Sequence, residues 1–167
     1  MICVAELNWT SHGPAQTAAL GEQLGRMLRS GDVICLEGDL GAGKTCLTQG
    51  IGRGLGVEAP ITSPTFVLIN EYPIPGPPRK LYHVDLYRVG SAAEAYALGI
   101  EDYVFGSGIC VIEWAERVLE LVPKERLWIS MRYLDDSRRH VSVQGSGSRY
   151  VDLVESLRFA CSVGRGG

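Results

Sequence analysis

One octapeptide, residues 38–45 (GDLGAGKT), constrains the fold of this chain more than any other feature. It fits the pattern G-x-x-x-x-G-K-[ST] without a gap, and an apolar, β-favouring run at 33–36 stands just before it. Glycines at this spacing let successive backbone N–H groups point at one anion, and a following helix adds its positive end to the same place. The arrangement predicts a buried parallel strand, a phosphate-binding loop and a helix over residues 44–55.

Strand-like and helix-like segments alternate along the rest of the chain. A second continuous apolar run, 109–112, predicts another strand that is covered on both faces. Two pairs of segments predict antiparallel hairpins: 66–72 with 79–85, and 127–134 with 140–143. We therefore expect an α/β fold of the P-loop NTPase type, a three-layer sandwich whose mixed sheet has a parallel centre and antiparallel hairpins.

Helices are predicted between these strands. After a strand over 2–7, a helix capped by Thr10 or Ser11 carries Pro14 in its first turn. Three more helices are expected: 91–98, a segment ending at Leu121 before Pro123, and 150–160 ahead of a frayed tail at 164–167. No internal repeat or low-complexity linker divides residues 1–167, which predicts a single domain.

Three glycines, Gly50, Gly52 and Gly54, fall inside the helix predicted after the loop. In a helix interior each is less favourable than alanine by up to about 1 kcal/mol. Their presence predicts close packing of this helix against a neighbouring element.

Composition excludes several functional classes. The chain is 46% apolar, yet no stretch approaches the ~20 consecutive apolar residues of a membrane span, and its start lacks a basic segment followed by an apolar one. We therefore expect no membrane partner and a cytoplasmic location. The five cysteines form no C-x-x-C pair, which argues against a disulfide framework and a zinc ribbon. The net charge of −3 is far from that of an autonomous nucleic-acid binder.

The loop also predicts a metal site. Lys44 would reach the β- and γ-phosphates, and the Thr45 hydroxyl is a ligand for Mg²⁺. A carboxylate at the end of an adjacent strand must then hold the hydrated metal. Asp85 follows the run 81–84 and Glu113 follows the run 109–112, and we expect Glu113 nearer the sheet centre. Both carboxylates remain candidates.

The segment 62–66 lies between the loop helix and the first hairpin, where nucleotide switches often sit. A hydroxyl there would sense the terminal phosphate; the alternative is a simple proline turn. Trp114 directly follows Glu113 and is counted among the cofactor-binding candidates, although packing in the core or an interface is the commoner role of such a residue.

Six segments together resemble the bacterial TsaE (YjeE) family. They occur in the family's order and spacing from about residue 13 to 140: GDLGAGKT at 38–45, SPTF at 63–66, NEY at 70–72, HVDLYR at 83–88, GIEDY at 99–103 and VIEW at 111–114. The resemblance implies a small Mg²⁺-dependent ATPase required for threonylcarbamoyladenosine next to the anticodon of tRNA. It further implies docking on TsaB and TsaD, which carry out the transfer, so that tRNA is contacted only through the complex.

The resemblance also assigns roles to residues. Phosphates of ATP or ADP fall on six consecutive positions: Asp39, Leu40, Gly41, Ala42, Gly43 and Lys44. Mg²⁺ falls on Thr45 and Glu113, with Asp85 as a nearby catalytic or water-linked carboxylate. Lys44, Asp85 and Glu113 are the catalytic candidates.

Four further positions complete the predicted site. Ser63 and Thr65 would form the switch, and the family's remaining nucleotide contacts map by spacing close to Pro14 and Ser137.

Two other functions are compatible with the loop. A small-molecule kinase would need an Arg-rich lid over the phosphates, and the adjacent pair Arg138 and Arg139 is the sole candidate in the sequence. A nucleotide-gated binding module would need no hydrolysis. A GTPase is disfavoured because the chain has no N-K-x-D motif.

Overall fold

The computed structural model describes residues 2–63, 68–76 and 79–163. The strands within them are β1 Val4–Ser11, β2 Val33–Glu37, β3 Ile69–Ile74, β4 Arg79–Asp85, β5 Ile109–Glu113, β6 Arg126–Tyr133 and β7 Arg139–Ser146. The helices are α1 Pro14–Met27, α2 Lys44–Leu55, α3 Ala92–Ala97, α4 Ile100–Val104 and α5 Ser148–Val163, with a short 3₁₀ helix at Ala115–Val118. None of the described helices is long and apolar enough to cross a bilayer.

The strands form one mixed sheet in the order β1-β7-β6-β2-β5-β4-β3. Its centre is parallel, because β2 pairs in parallel with β5 and β6, and β4 pairs in parallel with β5. The β3–β4 and β6–β7 hairpins are antiparallel, and β1 adds antiparallel to β7. The predicted parallel centre with antiparallel hairpins is confirmed.

Helices cover both faces of the sheet. Side chains alternate between the faces along a strand, so Ile34 and Leu36 pack with α1, α2 and α5. Val33 and Cys35 point the other way and pack with α3, α4 and the 3₁₀ helix. The four residues are at most 2% exposed, as expected for a strand covered on both sides. The predicted three-layer α/β sandwich is confirmed.

The start of α1 differs from the prediction. Strand β1 continues to Ser11, which pairs with Arg139 of β7, so neither Thr10 nor Ser11 is the helix cap. Gly13 occupies the cap position without a side-chain hydrogen bond, and Pro14 begins the helix. The Ser11 hydroxyl instead lies 2.7 Å from that of Thr17 and 2.8 Å from the Gly13 carbonyl oxygen. The cap prediction and the strand end at residue 7 are therefore wrong.

Further boundaries differ from the prediction. The strand expected over 66–72 is observed as β3 Ile69–Ile74, with residues 66–67 outside the described residues, and the strand expected over 140–143 extends to Ser146. The helix expected up to Leu121 is only the 3₁₀ helix Ala115–Val118, and Trp114, which precedes it, has a left-handed φ of 62°. Helix α4 is not predicted by the sequence reasoning, and α5 extends two residues earlier and three residues later than 150–160. The expected tail at 164–167 lies outside the described residues.

Glycines bring α1 and α2 into direct backbone contact. A Cβ atom placed on Gly50 would lie 2.2 Å from the Ala18 carbonyl oxygen, and one on Gly54 would lie 2.2 Å from that of Glu22. Side chains of any kind are excluded at this separation. The close packing expected from these glycines is confirmed, and it fixes α2 against α1.

Candidate functional site

The loop between β2 and α2 depends on its glycines. Gly38, Gly41 and Gly43 have φ values of 155°, 80° and 102°, which other residues rarely adopt. A Cβ atom on Gly38 would also lie 2.5 Å from the Met131 carbonyl oxygen of β6. The loop can therefore turn tightly at the parallel edge and open onto the N-terminus of α2, whose first N–H groups have no intrahelical partner.

Lys44 lies inside this loop. It is only 6% exposed, and its Nζ donates to the Gly38 carbonyl and, at 3.0 Å, to the Asp39 carbonyl. The ammonium group also lies 4.3 Å from the centroid of the Trp114 ring. Burial lowers the pKa of Lys44 from its ordinary value, while the charge of Glu113 acts in the opposite direction. The loop thus holds one cation at its centre.

Two hydroxyl groups meet beside the lysine. Thr45 Oγ1 lies 2.9 Å from Ser63 Oγ, which brings the predicted metal ligand next to the predicted switch. Thr65, the second predicted switch residue, lies outside the described residues.

The two candidate carboxylates are neighbours. Asp85 ends β4 and Glu113 ends the parallel strand β5, and the two residues are register partners. Glu113 is 3% exposed and Asp85 is partly buried, with the Tyr87 N–H donating to Asp85 Oδ1 at 2.9 Å. Burial raises the pKa of Asp85, and the nearby charge of Glu113 adds to the rise. As expected, Glu113 is nearer the sheet centre, because β5 lies between β2 and β4.

These groups line one cleft of about 340 Å³. Its walls include Leu40, Gly41, Gly43, Lys44, Thr45, Ser63, Asp85, Glu113 and Trp114. These side chains lie close together because the carboxyl ends of parallel strands lie at the same edge of the sheet, and ligands bind outside that edge.

Pro14 and Ser137 lie on the other side of the loop. Both line a smaller cavity of about 130 Å³ that also includes Gly41, Ala42, Gly43 and Arg139. Arg139 joins the β6–β7 turn to the loop, donating at 2.6 Å to the Asp135 carbonyl and at 3.4 Å to the Gly41 carbonyl. The structure therefore places both predicted contacts beside the loop.

Sequence reasoning missed several residues of the site. His83 Nε2 lies 2.6 Å from Glu113 Oε2, and the sequence analysis assigns this histidine no role. Arg117 donates to carbonyls after β4 and lies 4.9 Å from the Trp114 ring. Alternation along β4 was the available signal for His83, since it places that residue on the same face as Asp85.

The donor set suits Mg²⁺ better than a metal held by protein alone. No group of three His, Cys, Asp or Glu side chains within the described ranges is arranged for a metal ion. The cleft instead offers the hydroxyl of Thr45 and the carboxylates of Asp85 and Glu113. Mg²⁺ prefers such oxygens, keeps several waters and takes further ligands from substrate phosphates.

The family model described as "Threonylcarbamoyl adenosine biosynthesis protein TsaE" matches residues 11–141. This chain belongs to the TsaE family. The match spans the loop, both carboxylates and the β6–β7 turn, so every candidate site residue lies within the TsaE region.

Individual TsaE relatives extend the match over most of the chain. The tRNA threonylcarbamoyladenosine biosynthesis protein TsaE of Bacillus subtilis (strain 168) is 40% identical, covering 91% of this chain and 94% of the relative. The protein of the same name from Treponema pallidum (strain Nichols) is 42% identical, covering 80% and 96%. The crystal structure of Bacillus subtilis YdiB matches with a TM-score of 0.78 and 37% identity, over 95% of this chain and 97% of that one.

Proposed function

We propose that this chain is a Mg²⁺-dependent ATPase that supports the formation of threonylcarbamoyladenosine on tRNA. We propose further that it acts with homologues of TsaB and TsaD and contacts tRNA only through that assembly. One observation carries the catalytic part: Lys44, Thr45, Asp85 and Glu113 converge on a single cleft at the phosphate-binding loop. The biological part is supported by relatives that are named for this biosynthesis.

The loop is prepared for a polyphosphate. Lys44 is already held by two loop carbonyls, so its ammonium needs little reordering to meet a phosphate oxygen. A phosphate oxygen is a charged acceptor and forms a stronger hydrogen bond than the neutral carbonyls do. Backbone N–H groups of residues 39–44 and the N-terminus of α2 would bind the same anion.

Asp85 and Glu113 would share the chemistry of hydrolysis. Bound Mg²⁺, held by Thr45 and Glu113 together with the phosphates, would offset negative charge as the terminal phosphate leaves. The raised pKa of Asp85 makes it a better proton acceptor for an attacking water than an ordinary aspartate. The buried Glu113 and the half-exposed Asp85 therefore suit different roles in one site.

The smaller cavity offers a place for the rest of the nucleotide. It adjoins the loop at Gly41 and Gly43, and Pro14 and Ser137 also line it. A nucleoside that extends from the phosphates in this direction would lie between α1 and the β6–β7 turn.

Replacement of Lys44 tests the ATPase proposal. Lys44→Ala should lower hydrolysis by at least about 10²–10³-fold, because a preorganised charge is removed from the reacting phosphate. Lys80→Ala is the matched control: Lys80 is exposed on β4 and pairs with Glu71 at 3.1 Å. Calorimetry with ATP and Mg²⁺, and phosphate release, provide the measurements. Equal hydrolysis by Lys44→Ala and wild type would overturn the proposal.

The cellular role has its own test. Cells that carry only Lys44→Ala should lose the modified adenosine from bulk tRNA, as measured by mass spectrometry of nucleosides. Cells that carry Lys80→Ala should retain it. An unchanged level in the Lys44→Ala cells would remove the link between the nucleotide site and tRNA modification.

The partner proposal predicts slow hydrolysis by the isolated chain and faster hydrolysis after addition of TsaB and TsaD. A binding assay such as sedimentation of the mixture provides an independent readout. Absence of both stimulation and co-sedimentation would refute the partnership while leaving the ATPase proposal intact.

The structure does not favour the kinase alternative. Arg138 forms an ion pair with Asp135 at 2.8 Å, and Arg139 donates to the Asp135 and Gly41 carbonyls. Both guanidinium groups are thus bound within the β6–β7 turn and its contact with the loop. The nucleotide-gated module differs by one prediction: Glu113→Ala would bind ATP and still support normal tRNA modification.

A further inference from the structure

His83 and Glu113 form a buried pair at the inner wall of the cleft. His83 is 0% exposed and Glu113 is 3% exposed, and their Nε2 and Oε2 atoms lie 2.6 Å apart. His83 pairs in register with Val111, two residues before Glu113, so the histidine and the glutamate are diagonal neighbours on adjacent strands. Diagonal side chains on one face of a sheet are within reach of each other. Glu113 lines the cleft, and His83 stands behind it.

The second ring nitrogen indicates which atom carries the hydrogen. His83 Nδ1 is buried and has no hydrogen-bond partner among the described residues. A hydrogen on Nδ1 would be a buried donor without an acceptor, and such orphaned donors are rarer than unpaired acceptors. We therefore assign the neutral ring with its hydrogen on Nε2, donated to the Glu113 carboxylate.

We propose that His83 is a positioning residue that occupies one oxygen of Glu113, so that Glu113 offers a bound metal a single oxygen. The donated hydrogen bond directs Oε2 toward His83 and leaves Oε1 for the cleft. This inference rests on the proposed function, since it concerns the metal that accompanies the nucleotide.

A single available oxygen discriminates between metals. Mg²⁺ requires near-octahedral geometry and keeps several waters, so one carboxylate oxygen is sufficient for it. Ca²⁺ takes more ligands in flexible geometry and often binds both oxygens of a carboxylate. His83 would therefore raise the preference of the site for Mg²⁺ over Ca²⁺.

The hydrogen position is testable in the wild-type chain without nucleotide or metal. Long-range ¹⁵N–¹H correlation spectra distinguish the two neutral forms of a histidine ring. We expect these spectra to show the hydrogen of His83 on Nε2. The signals of His83 are identified as those that are absent from the spectrum of His83→Gln. A hydrogen on Nδ1, or on both nitrogens, would overturn the proposal.

The metal preference is tested by ADP binding. Calorimetry would measure ADP affinity in excess Mg²⁺, in excess Ca²⁺ and in EDTA for wild type, His83→Phe and His83→Gln. Loss of an outer partner of a metal ligand lowers metal affinity by about 10–100-fold. The metal enhancement is the ratio of ADP affinity with the metal to ADP affinity in EDTA. His83→Phe should therefore lower the Mg²⁺ enhancement by about 10–100-fold and lower the Ca²⁺ enhancement by a smaller factor. His83→Gln, which keeps an N–H donor, should recover part of the Mg²⁺ enhancement.

Controls separate the possible failures. His140→Leu alters the half-buried histidine of β7, which is separated from β4 by three strands, and should leave all three affinities unchanged. If His83→Phe loosened the fold in general, ADP affinity in EDTA would fall as well. If His83→Phe lowered ADP affinity equally in Mg²⁺ and in Ca²⁺, the proposal would be overturned. If folded wild type bound no ADP under any condition, the proposed function itself would fail. Should His83→Phe not fold, the wild-type ring spectrum alone decides.

Discussion

Alanine substitutions at Gly50 and Gly52 separate two effects on stability: the gain in helix propensity and the steric cost of the added Cβ atom. Both glycines lie inside α2, so each replacement gains about 1 kcal/mol of helix propensity. The added Cβ atoms meet different obstacles. At Gly50 the obstacle is the Ala18 carbonyl oxygen of α1, 2.2 Å away, whereas at Gly52 it is the Cδ1 atom of Ile61, 2.1 Å away.

The nature of each obstacle determines how the substitution changes the stability of the chain. The end of the Ile61 side chain can rotate, at about 0.5–1.5 kcal/mol, so Gly52→Ala should be close to neutral. A helix backbone cannot rotate away, so Gly50→Ala forces α1 and α2 apart. Overpacking of this kind costs about 1–3 kcal/mol, and we use the upper part of that range because the obstacle is main chain. After the propensity gain, Gly50→Ala should destabilise the chain by roughly 1–2 kcal/mol.

Urea unfolding followed by circular dichroism measures the difference. At an unchanged m-value, the midpoint should fall for Gly50→Ala and stay near wild type for Gly52→Ala. For a chain of this size, the thermal midpoint of Gly50→Ala should fall by roughly 2–8 °C. If Gly50→Ala were as stable as Gly52→Ala, direct backbone contact between α1 and α2 would be refuted.

Three further predictions concern buried groups. Burial raises the pKa of Cys35 to about 12 from its ordinary 9.0, so unfolding releases a proton between these pH values and stability falls as pH rises. Cys35→Val should reduce the fall in the free energy of unfolding by about 1.4 kcal/mol per pH unit, as measured by urea unfolding above pH 9. Native protein should react with iodoacetamide at the exposed Cys3 but not at Cys35 or Cys110, as peptide mass spectrometry would reveal. Arg149 donates to both oxygens of the buried Asp32, and Arg149→Met should destabilise the chain by about 2–3 kcal/mol, with partial recovery in Asp32→Asn/Arg149→Met.

The sheet centre and the core of the site could be predicted because their signals are local. The strands 33–36 and 109–112 are short runs of apolar, β-favouring residues, which are typical of a strand covered on both faces. The loop pattern fixes Lys44 and Thr45 by their spacing from glycines, and each carboxylate directly follows a strand. Parallel pairing then brings Asp85 and Glu113 to one edge without further information from the sequence.

The features that were missed depend on contacts between distant parts of the chain. Ser11 has the chemistry of a helix cap, but pairing with Arg139 holds it in β1 and moves the cap to Gly13. Trp114 takes a left-handed φ that no sequence pattern requires, and only a short 3₁₀ helix follows it after β5. His83 acquires its role only when β4 and β5 lie side by side.

The pairing of β1 with β7 also has a consequence for biosynthesis. Val4 of β1 is opposite Ser146 of β7. The first strand to leave the ribosome therefore cannot form this pairing until β7, the last strand, has been synthesised. At ~5–20 residues per second, that delay is roughly 7–30 s. During this interval Leu7 and Trp9 have no β7 beside them, and a nascent chain arrested before residue 139 would keep them uncovered. The β1 edge of the sheet is therefore completed only after most of the chain has been synthesised.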